Sequence, residues 1–276
     1  MTRPAPGGAA VVTGAARGLG LEIARRLAAA GRTVFAADLD GSELDRAVAA
    51  LPGTVRAVAL DVRDADACTA LAERVEAEAG ALGVWVNNAG VLGTGPAFEQ
   101  PLAAQRRIVE VNTLGTMNGT LAALTPMRRR GVGAIVNVVS LAGLAPVPGM
   151  AAYSASKHAA LAFSLSALGE LRATGHRGIS VSCLCPSGIW TPMLHDKTGD
   201  FWASASFGGR LLDPSDVAAR AVALVGRPRP VDAMPRFMGP VSRLVSATPR
   251  LTTTLTPLVL RAAAAQQRRA ARRLPR

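Results

Sequence analysis

The chain is poor in several residue types. It has three cysteines in 276 residues, Cys68, Cys183 and Cys185. The number is odd, and Cys183-Leu-Cys185 alternates within the apolar run 179–185. This argues against a disulfide framework or a cysteine metal site and leaves small buried thiols. The three histidines, His158, His176 and His195, are scattered without metal-ligand spacing, so no metal is expected. No stretch reaches about 18 uninterrupted apolar residues, which argues against a transmembrane helix. Met1-Thr-Arg-Pro-Ala-Pro leads straight into an apolar strand without a separate signal segment, and a cytoplasmic protein is expected. Lysine is scarce too: of 31 basic residues only Lys157 and Lys197 are lysines. A lysine kept at 157 against that arginine bias is suggestive.

Acidic residues stop at Asp232, while nine arginines follow, at 236, 243, 250, 261, 268, 269, 272, 273 and 276. The net charge of +12 therefore belongs mostly to the C-terminal stretch, since the rest carries 22 basic against 19 acidic residues and is close to balanced. A polyanion-binding body is not implied. The tail lacks aromatics for base stacking and no recognition fold accompanies it, so nucleic acid is not an expected partner.

Apolar residues make up 49 % of the chain, enough for a substantial core. Strand-like runs fall at 9–12, 33–37, 55–60, 84–87, 133–139 and 179–185. Helical patterns lie between them at 19–30, 42–50, 65–79, 102–130 and 151–173. Strands apolar on both faces and separated by helices predict a parallel sheet covered on both sides. The fold class is α/β: a single-domain, doubly wound Rossmann-type sheet flanked by helices, spanning 1–240. Residues 187–212, rich in Gly, Ser, Trp and Met, suit a flap over a site. Asp213-Pro214 starts a further helix running to about Val225, and the segment 229–234 has room for a last strand. Beyond 240 a basic, helical extension is expected, with Thr256-Pro257 as its helix start. It reads either as a packed or frayed helix or as a segment in peripheral contact with anionic lipid.

Thr13-Gly-Ala-Ala-Arg-Gly-Leu-Gly20 follows the first strand and opens a helix, the context of a dinucleotide loop. Gly14 and Gly18 allow the tight turn, Gly20 lets the helix pack on the sheet, and a diphosphate meets the helix N-terminus. Asp38 ends the second strand, where a carboxylate accepts ribose hydroxyls and repels a 2′-phosphate. This favours NAD, with NADP open because Arg17 sits in the loop. Farther on, Tyr153 and Lys157 are four apart on a helix, so a phenol and an ammonium share one face. A phenol titrates near pH ~10, and a fixed cation lowers that value. Ser140 follows the run 133–139, its hydroxyl able to hold a substrate oxygen. By themselves such Tyr-x-x-x-Lys pairs also occur on ordinary surface helices.

The glycine spacing with Tyr-x-x-x-Lys, joined in order by Asp61-Val62, Asn87-Asn-Ala-Gly90, Asn112, Ser140 and Pro186-Ser-Gly188 with Thr191, resembles the short-chain dehydrogenase/reductase family over about residues 8–195. The resemblance implies Tyr153 as general acid/base, Lys157 lowering its pKa and binding the nicotinamide ribose, Ser140 holding the substrate oxygen, and Asn112 positioning a relay water. It implies a cofactor site of Gly14, Arg17, Gly18, Leu19, Gly20, Asp38, Leu39, Asp61, Val62, Asn88, Ala89, Gly90, Pro186, Gly188, Ile189 and Thr191 around the same Tyr153 and Lys157. A homodimer or homotetramer is implied, pairing through the helices at 102–130 and 151–173.

An apolar substrate wall of Ser140, Leu141, Leu144, Met150, Trp190 and Met193, extended by Val147, Leu194, Phe201, Trp202 and Phe207, suits a lipophilic secondary alcohol or ketone. Several of these residues also suit a core closed beneath the flap. An epimerase- or dehydratase-type reaction and a non-catalytic dinucleotide sensor remain alternatives.

Overall fold

The computed structural model describes residues 7–271; the N-terminal hexapeptide and Arg272, Arg273 and Arg276 of the basic stretch lie outside them. Seven strands form one parallel sheet in the order β3-β2-β1-β4-β5-β6-β7. They are β1 (Ala9–Thr13), β2 (Val34–Asp38), β3 (Val55–Ala59), β4 (Leu82–Asn87), β5 (Gly133–Val138), β6 (Ile179–Pro186) and β7 (Val231–Met234). Every residue of β1, β4 and β6 is buried, as their two-sided apolar sequences require. Register is parallel throughout, with Val11 opposite both Phe35 and Trp85.

Helices cover both faces. On one side, α1 (Gly18–Ala29) and α8 (Pro214–Gly226) bury Ile23, Leu27, Val217 and Leu224 against Val12, Val84 and Leu184. On the other, α3 (Ala65–Ala79) and α5 (Gly115–Arg130) bury Leu71, Val75, Ala123 and Met127 against Phe35, Trp85 and Ile135. Helix starts follow local chemistry. Asp40 accepts from Glu43 N at α2 (Gly41–Val48), Asp64 from Ala67 N at α3, and Asp213 from Ser215 N at α8, each satisfying a free N–H of the first turn. Gly80 and Gly131 end α3 and α5 in the left-handed conformation, where a side chain would be strained.

The chain winds outward from β1 to β3, returns to β4, and winds out the other way. That reversal leaves a crevice beyond the carboxyl ends of β1 and β4, where the glycine loop and Asn88 sit.

Two expected elements differ. The single helix expected over 102–130 is three joined pieces, α4 (Leu102–Val109), a π-helical turn (Glu110–Leu114) and α5. The wider turn buries the polar Asn112 and Thr113, and such bulges cluster at functional sites. The C-terminal helix does not begin at Thr256-Pro257. After α9 (Met238–Ala247), α10 (Pro249–Ala271) begins seven residues before Thr256 and carries Pro257 inside it. Thr252, Thr253, Thr254 and Thr256 bond their hydroxyls back to carbonyls of the preceding turn. That run of β-branched residues, poor in helix propensity, conceals the first turns from a reading of the sequence. Helix α10 lies along the 3₁₀ turn Phe201–Phe207, where Gln267 Nε2 donates to the carbonyls of Lys197 and Asp200 at 2.8 and 2.9 Å.

Candidate active site

One cleft of about 2560 Å³ runs from the end of β2, across the glycine loop, to α9 and α10. It exceeds the ~300–1000 Å³ of an ordinary ligand pocket, with room for a dinucleotide and a second molecule together.

The glycine loop forms its first wall. Gly14 and Gly18 have φ of +66° and +57°, conformations that L side chains rarely adopt. A Cβ on Gly14 would lie 2.8 Å from Ala89 Cα, and one on Gly20 would lie 2.0 Å from Gly14 O. The loop is therefore folded tightly onto the end of β4. Thr13 and Asn88 lock it there. Thr13 Oγ1 accepts from the N–H of Asn88 and of Ala89, both at 3.1 Å, while Asn88 Nδ2 donates to the carbonyls of Thr13 and Gly14 at 3.0 Å. Helix α1 then starts without a side-chain cap and with no acidic residue in its first turn. Its free N–H groups meet the cleft with a positive field, suited to an anion.

Asp38 lies at the carboxyl end of β2. Its Oδ2 accepts from Ala16 N at 2.9 Å and its Oδ1 from Leu39 N at 2.8 Å, so the carboxylate braces the loop and still borders the cleft. Asp61 is bidentate to Arg63, with Nε at 2.9 Å and Nη2 at 2.5 Å from Oδ2, and this guanidinium holds its carboxyl below the usual range. The arginine beside Asp61 is a partner that the sequence reading did not assign.

Tyr153, Lys157 and Ser140 meet at the other end of the cleft. Helix α6 (Ala151–Ala173) carries Tyr153 and Lys157 on one face, with Lys157 Nζ 5.8 Å from the centre of the Tyr153 ring. Lys157 is only 4 % exposed, and its ammonium donates to the carbonyl of Val138 at 3.0 Å. Burial pulls its pKa down to about 8. Burial also pushes the Tyr153 phenol up, and the Ser140 hydroxyl beside it pulls the other way. Ser140 caps the turn Leu141–Gly143, its Oγ accepting from Ala142 N at 3.1 Å. Gly143 seats that turn: a Cβ there would stand 2.8 Å from the Lys157 carbonyl oxygen. Neither Gly143 nor Thr13 was picked out as a site residue from sequence. Their contribution is close approach and bracing, which only the fold discloses.

Asn112 occupies the π turn and is wholly buried. Its Oδ1 accepts from Val91 N at 2.8 Å, and Nδ2 donates to Val91 O and Ser156 Oγ, both at 3.0 Å. The side chain thus clamps the segment after β4 to α6 and does not line the cleft. A Cβ on Gly90 would lie 3.2 Å from Asn112 Oδ1 and 3.6 Å from Lys157 Nζ, which places the three side by side.

Apart from Gly20 and Asn112, every expected cofactor or catalytic position borders the cleft: Arg17, Leu19, Leu39, Val62, Ala89, Pro186, Gly188, Ile189 and Thr191 with those above. On the substrate side Leu141, Val147, Met150, Trp190, Met193 and Leu194 line it, the last two on the short helix α7 (Pro192–His195). Leu144 instead packs with Val139, Leu161 and Cys183, and Phe207 is sealed beside Ala203; Phe201 and Trp202 do not line it either. The two β6 thiols are buried and unpaired, their pKa values pushed by burial to about 11 for Cys183 and about 12 for Cys185.

Known proteins share this sequence pattern and fold. A family model described as short chain dehydrogenase matches residues 8–200. The chain is 38 % identical over 227 residues to 1-deoxy-11-beta-hydroxypentalenate dehydrogenase of Streptomyces exfoliatus, covering 80 % of each chain. It is 34 % identical over 218 residues to 3-alpha-(or 20-beta)-hydroxysteroid dehydrogenase of Mycobacterium tuberculosis, covering 79 % of this chain and 82 % of that one. A short-chain dehydrogenase/reductase of Burkholderia phymatum in complex with NAD superimposes with a TM-score of 0.81 at 26 % identity, covering 90 % of this chain and 96 % of that chain. A nicotinamide dinucleotide suits the uncapped helix start, the closely packed glycines and the flanking Asp38. The chain belongs to the short-chain dehydrogenase family of nicotinamide-dependent oxidoreductases.

Proposed function

We propose that the protein is an NAD-preferring dehydrogenase of a lipophilic secondary alcohol, working in reverse as a ketone reductase, with Tyr153 as its general acid/base. The observation that carries this reading is the meeting of Tyr153, Lys157 and Ser140 at the floor of an apolar cleft whose other end is the glycine loop.

The chemistry that a bound nicotinamide supplies is hydride exchange at the substrate carbon. The chain's own residues handle the proton and the geometry. Ser140 Oγ holds the substrate oxygen within reach of the Tyr153 hydroxyl. In the oxidative direction Tyr153 takes the hydroxyl proton, and in the reductive direction it returns it. Burial disfavours the phenolate, so the base needs a fixed cation, and Lys157 is the ammonium on the same helix face. Asn112 acts as a positioning residue, holding Val91 and Ser156 so that Gly90 and Lys157 keep their places.

Gly14, Gly18 and the first turn of α1 would hold the diphosphate, Asp38 the adenosine ribose, and Ile189 and Thr191 the carboxamide end. Asp38 supports NAD over NADP, since a second anion beside its carboxylate is repelled. The lipophilic substrate rests on Leu141, Val147, Met150, Trp190 and Met193. The polycyclic substrates named for two relatives, a hydroxypentalenate and hydroxysteroids, point the same way.

The test is NADH fluorescence during a screen of secondary alcohols and ketones with the wild type and Tyr153→Phe. The variant is expected to lose turnover while its NADH affinity stays within about twofold, the removed hydroxyl being needed for chemistry more than for binding. Near-normal turnover by the variant would sink the mechanism.

A further inference from the structure

The open end of the cleft is walled by α9 and α10, and their outer surface is unlike the rest of the molecule. Phe237, Val241 and Leu244 recur at i, i+4 and i+7, and Leu251, Leu255 and Leu258 repeat the same spacing one helix later. Each set forms one stripe, Phe237 joining it as the helically disposed cap of α9, and both are exposed: 68 % for Phe237, 66 % for Leu244, 58 % for Leu251 and 62 % for Leu258. These residues are not surplus core. Helix α10 already buries an opposite stripe, Leu260, Ala263, Ala264 and Gln267. Exposed apolar patches of this kind on a folded chain mark a surface that meets something.

The charge around the stripes identifies the partner. Arg236, Arg243, Arg250, Arg261, Arg268 and Arg269 are all exposed, and none has a carboxylate partner among the described residues. No acidic residue follows Asp232. On α10, Arg250, Arg261 and Arg268 fall on one flank of the leucine stripe, where a long side chain keeps its guanidinium at a polar boundary while its stem lies on apolar ground. A second copy of the chain is disfavoured. A twofold contact presents the same patch from both sides and would set arginine against arginine. An apolar stripe flanked by one-signed cations matches an anionic bilayer, with the leucines at the acyl boundary and the arginines among the headgroups.

We propose that the outer face of α9 and α10 docks the protein on an anionic lipid surface, with the mouth of the cleft turned toward the bilayer. Phe237, Val241, Leu244, Leu251 and Leu255 also border the cleft. The docked face and the substrate entrance are thus the same surface, and a lipophilic alcohol can enter from the bilayer without crossing water. Only this last point rests on the proposed substrate class; the docking does not.

The test is flotation of the full chain with phosphatidylcholine vesicles and with equimolar phosphatidylcholine/phosphatidylglycerol vesicles. Wild type is expected to float with the anionic vesicles alone and to be released by high salt. Arg250→Gln/Arg261→Gln/Arg268→Gln is expected to lose on the order of 100-fold in partitioning at low salt. Leu258→Asp, at an exposed site outside the cleft lining, is expected to abolish flotation. Unchanged NADH binding and melting temperature identify each variant as folded. Failure of the wild type to float, equal flotation with both vesicle types, or a triple variant that floats like wild type each overturns the proposal. So does a concentration-dependent dimer, dissolved by Leu258→Asp, that never floats. Tyr153→Phe must float normally, so loss of the catalytic reading and loss of docking show up in separate assays.

Discussion

The ammonium of Lys157 is tied to the carbonyl oxygen of Val138 at 3.0 Å, at the carboxyl end of β5, in a place almost closed to solvent. The contact joins the middle of the sheet to the helix that carries Tyr153. It also keeps a positive charge that no carboxylate pairs with among the described residues, and burial is the largest cause of its lowered pKa.

That arrangement costs stability. Below pH 8 the amine is protonated in the folded and unfolded chains alike, and the burial cost is present in full. Between about 8 and 10.5 the unfolded chain still holds the proton that the folded chain has released, so stability attributable to this group rises with pH. Lys157→Met is therefore expected to stabilise the cofactor-free protein at pH 7 by about 2 kcal/mol, the ionisation cost removed less the orphaned Val138 carbonyl. The gain should shrink by pH 10, and turnover should vanish. Thermal melts of both proteins across that range check it; a lower melting temperature for the variant at pH 7 contradicts the argument.

Asp38 couples cofactor choice to loop architecture, because its two oxygens already accept from Ala16 and Leu39. Asp38→Ala removes both bonds and the repulsion of a 2′-phosphate. The expected result is a fall of about 10- to 100-fold in kcat/KM with NAD, and a rise in the NADP-to-NAD ratio. Asp38→Asn, which keeps one acceptor oxygen, should retain more of the NAD activity. Steady-state kinetics with both cofactors decide it, and a wild type that prefers NADP would refute the assignment of Asp38.

Much of this was legible in the sequence because the signals are local. The glycine loop, the Asp38 that ends β2 and the four-residue step from Tyr153 to Lys157 need only spacing and a strand or helix to sit on. The central strands were legible because β1, β4 and β6 are buried along their whole length in two-sided apolar runs. What escaped is what depends on distant partners. The π turn at Glu110–Leu114 makes sense only with Val91 and Ser156 in place to receive Asn112. Leu144 has the composition of a pocket wall, yet the turn after Ser140 directs it into the core. The first turns of α10 hide behind threonines of poor propensity, and the helix is anchored only farther on, where Ser204 and Gln267 tie its second half to the segment 197–207.

Gly119 shows the same limit as a measurable effect. Helix propensity alone predicts that Gly→Ala inside α5 stabilises by about 1 kcal/mol. Here an added Cβ would stand 2.1 Å from Asn87 Oδ1 and 2.6 Å from Trp85 Nε1. Those two atoms share a 2.7 Å hydrogen bond, and Asn87 Nδ2 continues to Thr120 and to Asn137 at 3.1 and 2.9 Å. Gly119→Ala is expected to cost about 2 kcal/mol or more by breaking a buried network. Urea unfolding reports the sign, and a stabilised variant would show that the network yields without loss.

A buried ion pair gives the last prediction. Asp232 on β7 is 2 % exposed and accepts from Arg220 Nε and Nη2 of α8 at 2.5 and 2.6 Å. Arg229 Nε is 3.8 Å away, too long to replace those bonds. Arg220→Met leaves a carboxylate in the sheet without its bidentate partner, a change that costs about 3 kcal/mol. In a protein of this size that is a fall of about 6–12 °C in melting temperature. Asp232→Asn leaves only a partly exposed guanidinium short of one charge and should cost less. The double variant should recover part of the loss, because no unpaired charge remains buried. A coupling energy near zero in that cycle would mean that α8 is held to β7 by the packing of Val217, Ala221 and Leu224 rather than by the ion pair.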